Sequence, residues 1–416
     1  MNVLHLSDSD RGGGAARTAW TIHTGLRRLG HGSRMLVGRP LSGDEDVRSI
    51  KRNDLWRLAD RAAGEVLDRL SLQYAFYPSS FGVTRDPWFR AADVVQLYNL
   101  HGSYFSFTAL PRLTRRRPTF WILQDQWAMT GHVAYSHDCE RWRIGCGECP
   151  YLHEYPALRR DTTATLWRLK QRVYERSRLE LVVPSRWLER LTRESPLLAR
   201  FPVHRIPHGV DTEVFRPGSR EEARARLGLP PNGRVVFFSA WDVTERRKGL
   251  HLLLAALDRL EEPPFLLLAG DGSPPAVPRG QTLGRISDDH VLADVYRAAD
   301  VYAVPTLADV LTKTAPEAIA SGIPCVSFDR GGVTDVVRHM ETGYQARFGD
   351  VDDLARGLEL LLGDDDLRAR LGRQGRELAE REFSSRVQVG RYVDLYRSRL
   401  ERLRRWPGTP ELEVGA

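Results

Sequence analysis

Short apolar runs rich in β-branched residues alternate along nearly the whole chain with longer segments of helical period. A chain patterned in this way is restricted to βαβ units around parallel sheets. The spacing predicts strands at Val3–Leu6, Arg34–Val37, Val94–Tyr98, Phe120–Leu123 and Leu179–Val183. A second set follows at Arg234–Ser239, Phe265–Ala269, Val301–Val304 and Pro324–Phe328. Between the sets, Ile206–Pro217 carries two prolines and a glycine, which punctuate a connector rather than an element. A chain of 416 residues exceeds what one hydrophobic core usually organises. The expected fold class is therefore α/β, with two Rossmann-like, doubly wound domains at 1–205 and 206–385 facing a central cleft. After Phe383 the pattern is helical with no further strand, so 386–416 is expected to form a bracing helix and a tail that frays from Trp406.

The segment Met1–Asp10 lacks a basic, apolar leader pattern, and no stretch approaches ~18 uninterrupted apolar residues. The expectation is a soluble cytoplasmic protein. A net charge of +7 suits acidic small molecules, anionic membrane surfaces or nucleic acid. No cationic run with interleaved aromatics accompanies it, so nucleic acid is not an expected partner. Lysine occurs only as Lys51, Lys170, Lys248 and Lys313. The helical pattern Leu55–Leu72, followed by Tyr74–Pro78, is amphipathic; it faces either a core or a membrane-borne acceptor.

In open parallel sheets ligands bind beyond the carboxyl ends of the strands. The unusual residues of this chain fall there. After the first strand, Arg11–Ala16 contains Gly12, Gly13 and Gly14 and opens a helix, so bare backbone can approach a phosphate or sugar. The plain alternative is a tight turn, since the dinucleotide fingerprint is absent. Asp8 and Asp10 form an acid-x-acid pair that reads as a polar loop rather than a metal site. His101 and Asp125 end neighbouring strands, where they serve structure, orient an acceptor hydroxyl or touch a transferred sugar.

In the second half, Arg246, Arg247 and Lys248 follow a strand end and can neutralise a diphosphate leaving group, or form a solvated charge run. Asp309 and Glu317 bracket the backbone of Val310, Leu311 and Thr312, whose amides can face a ligand. Carboxylates accept vicinal hydroxyls, so Asp309 suits a hexose and Glu317 a ribose. Thr314 and Glu317 also have the spacing of a capping box.

Three of the four cysteines, Cys139, Cys146 and Cys149, lie among His132, His137 and His153. A zinc site is one reading. Three reduced thiols in a loop is the favoured one, because a second C-x2-C pair is missing. No metal and no other cofactor is expected.

The motifs Ile206–Phe215, Leu267–Gly272, Ala299–Pro305 and Pro316–Val326 resemble those of retaining glycosyltransferases of the GT-B fold, in the large group four. The similarity runs from Val3 to Leu395, and Gln124–His132 with the cysteine segment resembles the colanic-acid and exopolysaccharide subgroup. The resemblance implies transfer of a sugar from a nucleotide-sugar donor to a hydroxyl acceptor, without metal and with retention. It places Gly13 and Gly14 near the donor phosphate, Lys248 on the diphosphate, Asp309 on the sugar and Glu317 on the ribose.

The chain departs from that pattern at Asp309, where many relatives carry Glu, and at Val243, where an Arg is usual, so that Arg246 or Arg247 would supply the charge. Gln124 replaces an expected His, and Val133 a common fourth Cys. Rival readings are a catalytically degenerate binding or scaffold subunit, and an epimerase or hydrolase acting on the donor.

Overall fold

The computed structural model describes residues 1–405 apart from 276 and 278. The tail from Trp406, expected to fray, lies outside the described residues. The chain divides into two units: Met1–Ile206 together with the segment from Val389, and Pro207–Gln388.

The first unit is built on a seven-stranded parallel sheet, with β1 (Asn2–Ser9), β2 (Gly32–Arg39), β3 (Val47–Ser49), β4 (Val94–Leu97), β5 (Thr119–Ile122), β6 (Glu180–Val183) and β7 (Val203–Arg205) in the order β3-β2-β1-β4-β5-β6-β7. Val3 lies opposite Ser33 on one side and Val94 on the other. The inner strands β4, β5 and β6 are buried along their whole length, as a parallel sheet covered on both faces requires. Helix Gly14–Arg28 lays Ala19, Ile22 and Leu26 on a core that also takes Val389, Tyr392 and Tyr396 from helix Ser385–Arg405. The Tyr396 hydroxyl donates to Gln96 Oε1 at 2.6 Å, and its ring stands 5.0 Å from that of Phe120.

The second unit has six parallel strands, β8 (Val235–Asp242), β9 (Phe265–Asp271), β10 (Gly280–Thr282), β11 (Val301–Val304), β12 (Cys325–Phe328) and β13 (Gly343–Ala346), in the order β10-β9-β8-β11-β12-β13. Alternate residues feed opposite cores, as the period of two dictates. Phe237, Leu267 and Tyr302 enter one. Val236, Leu266 and Val301 enter the other.

Strands β3, β7, β10 and β13, which the periodicity did not predict, are the outer strands of the two sheets. Helix Asp54–Arg69 also departs from one expectation. Of its residues only Asp60 is buried, while Leu55, Leu58, Val66 and the adjoining Leu70 are exposed, so its apolar stripe does not face a core. No helix among the described residues is long and apolar enough to cross a membrane.

Candidate functional site

In each sheet the strand order reverses once, between β1 and β4 in the first and between β8 and β11 in the second. Loops leaving two such strands run to opposite faces and open a crevice, which is where open α/β sheets bind ligands.

In the second unit the loops after β8, β11 and β12 are locked together at this point. The Leu307 N–H donates to the Arg247 carbonyl at 2.8 Å, and the Arg247 guanidinium returns a bond to the Ala308 carbonyl at 2.7 Å. Gly249 sits at φ +81° so close to Pro305 that an added Cβ would fall 2.0 Å from its carbonyl oxygen. From the third loop, the Gly332 N–H donates to the Asp309 carbonyl at 2.9 Å.

This frame holds Asp309 against two cations. Its Oδ2 accepts from Lys248 Nζ at 2.6 Å and lies 3.3 Å from an Arg247 nitrogen. The carboxylate is buried. Burial alone would favour its neutral form, but Lys248 and Arg247 outweigh that and hold the carboxyl below its ordinary value. Glu245 pairs with Arg247 on its other side, at 2.8 Å, so Lys248 and Arg247 are matched by two carboxylates next to a run of donors. Among the described residues, the backbone N–H groups of Val310, Leu311 and Thr312 have no hydrogen-bond acceptor. Unpaired amides beside a lysine and an arginine are suited to phosphate oxygens.

Glu317 lies in the first turn of helix Thr314–Ala320 and is buried. Its Oε2 accepts from the Tyr296 hydroxyl at 3.1 Å. The capping box expected between Thr314 and Glu317 does not form in that register. The cap position is Lys313, the Glu317 N–H bonds to the Lys313 carbonyl, and the Thr314 hydroxyl pairs with that of Thr312. Val243 is packed into the apolar core, and Arg247, not the exposed Arg246, comes to Asp309.

Sequence reasoning missed His208. It is buried, its Nδ1 has no partner among the described residues, and burial and Lys313 push its imidazole down to about 3 despite the opposing pull of Asp309. Its position in a connector between two prolines gave no periodic signal.

At the crevice of the first unit, helix Gly14–Arg28 begins without a side-chain cap. An added Cβ at Gly12, Gly13 or Gly14 would meet nothing within 4 Å, so packing does not require glycine there. On the neighbouring loops His101 Nε2 lies 2.7 Å from Asp125 Oδ2, and the other Asp125 oxygen accepts the Trp127 N–H at 2.9 Å. A carboxylate can only accept, so His101 donates from Nε2, while its Nδ1 lies 3.1 Å from the Tyr155 hydroxyl. Sequence reading placed His101 and Asp125 on adjacent strand ends; the structure joins them and adds Tyr155.

Asp8 faces the same place. Burial raises its carboxyl above the ordinary value, with His101 and Arg39 pulling against it. Asp10 instead accepts the backbone N–H groups of Leu41 and Ser42, both at 2.8 Å, which fixes a loop. Gln124 Oε1 is buried without a partner among the described residues.

Cys139, Cys146 and Cys149 are free thiols. Among the described residues no group of three or more His, Cys, Asp or Glu side chains is placed to hold a metal ion. His132 gives one ring nitrogen to the Pro156 carbonyl at 2.8 Å and sets the other 3.3 Å from Cys149 Sγ.

Residues 219–378 match the family described as Glycosyl transferases group 1. That segment contains Arg247, Lys248, Asp309 and Glu317. The D-inositol 3-phosphate glycosyltransferase of Nocardia farcinica is 33% identical over 186 residues, covering 40% of this chain and 41% of that protein. The chain spans about half the length of the curated relatives it matches. Similar folds extend much further. Sucrose-phosphate synthase from Thermosynechococcus elongatus superposes with a TM-score of 0.70 at 20% identity, covering 97% of this chain and 100% of that one. The Anabaena protein Alr3699/HepE, solved with UDP and glucose, gives a TM-score of 0.68 at 15% identity over 96% and 100% of the two chains. The fold class is α/β of the GT-B type, with parallel sheets of seven and six strands.

Proposed function

We propose that this protein is a glycosyltransferase that moves a sugar from a nucleotide-sugar donor to a hydroxyl acceptor. The observation that carries the reading is the cluster at the β8/β11 crevice, where Lys248 and Arg247 pair with a buried Asp309 next to unpaired backbone amides. Lys248, Arg247 and the amides of Val310, Leu311 and Thr312 bind the diphosphate and stabilise the charge that grows as the sugar–phosphate bond breaks. Asp309 takes hydroxyls of the transferred sugar, and Glu317, steadied by Tyr296, takes the ribose. Gly13 and Gly14 approach the donor phosphate. His101, oriented by Asp125, positions the acceptor hydroxyl.

The reading includes transfer with retention and without metal. The relatives that carry glycosyltransferase names support sugar transfer itself. The segment Gln124–His132 supports an exopolysaccharide-type acceptor.

A panel of nucleotide-sugars, scored by mass for sugar transfer and for donor hydrolysis, tests the proposal. Binding and turnover of at least one donor, both lost in Lys248→Ala and Glu317→Gln, is the expected result. A folded protein that binds none of the donors, or variants that match the wild type, would sink it. Binding without any transfer or hydrolysis would leave the scaffold reading.

A further inference from the structure

The first unit contains a cavity of about 790 Å³ that the donor chemistry does not use. It lies past the ends of β2 and β3 and is walled by one face of helix Asp54–Arg69. A volume of this order holds one or two sugar rings. Resting on the glycosyltransferase reading, we propose that this cavity takes the acceptor and that the acceptor carries an anionic group, a phosphate or a carboxylate, recognised by Arg57 and Arg61 with Lys51 and Arg39.

The charge balance of the lining is the first ground. Arg57 and Arg61 stand one turn apart on the same helix, a like-charge spacing that costs stability unless something offsets it. The acids of the lining are mostly committed elsewhere. Asp60 is buried and accepts both the N–H and the hydroxyl of Ser79, and Asp68 pairs with Arg159 at 2.7 Å. Arg57 reaches the exposed Asp54 at the mouth, while Arg61 has no acidic partner among the described residues. Lys51 makes one long contact, 3.5 Å to the Ser103 carbonyl. Of the four cations in the lining, Arg57 is paired with Asp54 and Arg39 lies 3.7 Å from Asp8, so Lys51 and Arg61 are the two with no acidic partner among the described residues, and a bound anion would pair with them.

Shape and position give the second ground. Tyr74 and Tyr77 offer aromatic faces in the same wall, and Gly64 allows the helix to approach the Tyr77 ring. Tyr74 and Ser103 both line the cavity with φ near +60°, a strained setting for side-chain-bearing residues that clusters at ligand sites. The cavity adjoins the His101–Asp125 pair. The Tyr74 ring stands 6.3 Å from that of His101, and Arg39 reaches Asp8, which feels the His101 charge. An acceptor anchored by its anion at Arg57 and Arg61 has its hydroxyls on the His101 side.

The test is calorimetric titration of the full chain with monosaccharides, their phosphates and the matching uronic acids, beside a separate nucleotide-sugar titration of the same preparations. At least one anionic sugar should bind ten-fold or more tighter than its neutral parent. The preference should weaken with salt and vanish in Arg57→Gln/Arg61→Gln, whose affinity for nucleotide-sugars stays as in the wild type. A response to phosphates alone, or to uronic acids alone, identifies the anion. Equal affinity for neutral and anionic sugars, no binding of any anionic sugar, or a preference that survives the double substitution overturns the assignment. Loss of nucleotide-sugar binding in the wild type, with the anion preference intact, would sink the transfer reading and leave the cavity assigned.

Discussion

Lys248 Nζ lies 2.6 Å from Asp309 Oδ2, across 61 positions of sequence, because β8 and β11 are neighbours in the sheet. Each charge is the other's main compensation. Removing Asp309 takes from Lys248 its carboxylate, and removing Lys248 leaves the buried Asp309 with Arg247 alone at 3.3 Å; either loss costs more than the pair itself contributes.

Lys248→Ala should therefore lower kcat/KM for the nucleotide-sugar by roughly 10²–10³-fold, the scale seen when one group that stabilises leaving-group charge is deleted. Steady-state kinetics alongside circular dichroism would check it. A variant with native secondary structure and undiminished turnover contradicts the role.

The same pair makes stability depend on pH. The Asp309 carboxyl is held below its ordinary value, so its stabilising contribution is fully present at neutral pH. It disappears as pH falls from the ordinary carboxylate range through the lower folded value. Urea midpoints of the wild type and Asp309→Asn should converge on acidification, and an undiminished gap at about pH 3 would count against the ion pair.

Gly249→Ala places a methyl 2.0 Å from the Pro305 carbonyl oxygen on a backbone at φ +81°. Left-handed strain and the clash together should cost roughly 2 kcal/mol or more. The lock between the β8 and β11 loops would open, so donor affinity should fall together with thermal stability. Unchanged melting would mean the loops do not depend on this contact.

His101→Ala should reduce transfer by roughly 10²-fold, the scale of a lost positioning contact on the acceptor hydroxyl, while donor binding stays intact. Comparing kcat with nucleotide affinity separates this from unfolding. Tyr155→Phe removes only the bond to His101 Nδ1 and should have the smaller effect.

Lys170 is buried, donating to the carbonyls of Trp127 and Thr130 at 2.6 and 3.0 Å. Burial brings its ammonium down to about 7, against the pull of Cys146 and Asp125. The unfolded chain then binds more protons between that value and the ordinary lysine range, so stability should rise with pH across the interval. Lys170→Met should flatten the slope in denaturant titrations at a series of pH values. A slope equal to that of the wild type would refute the assignment.

The inner strands were legible because each is a short, mostly apolar run, buried along its length as a sheet covered on both faces requires. The outer strands β3, β7, β10 and β13 were not. Each is three or four residues long and half exposed, so neither length nor alternation distinguishes it from a loop; pairing with a neighbour makes it a strand. At the site, Lys248, Asp309, His101 and Asp125 could be picked out by their place at strand ends. Which of them touch is fixed by strand order, a property no local window contains. Tyr155 and His208 left no mark, since one follows a long loop and the other sits between prolines.

The helix Ser385–Arg405 also bears on how the chain can form during synthesis. Tyr392 and Tyr396 complete a core whose other walls include Val3, Val94 and Phe120, so the first unit cannot close until the segment from Val389 has been made. At ordinary translation speeds the delay between Ile206 and Val389 is on the order of 10–40 s. The contiguous stretch Pro207–Gln388 has no such dependence, so on the ribosome the later half is free to finish first.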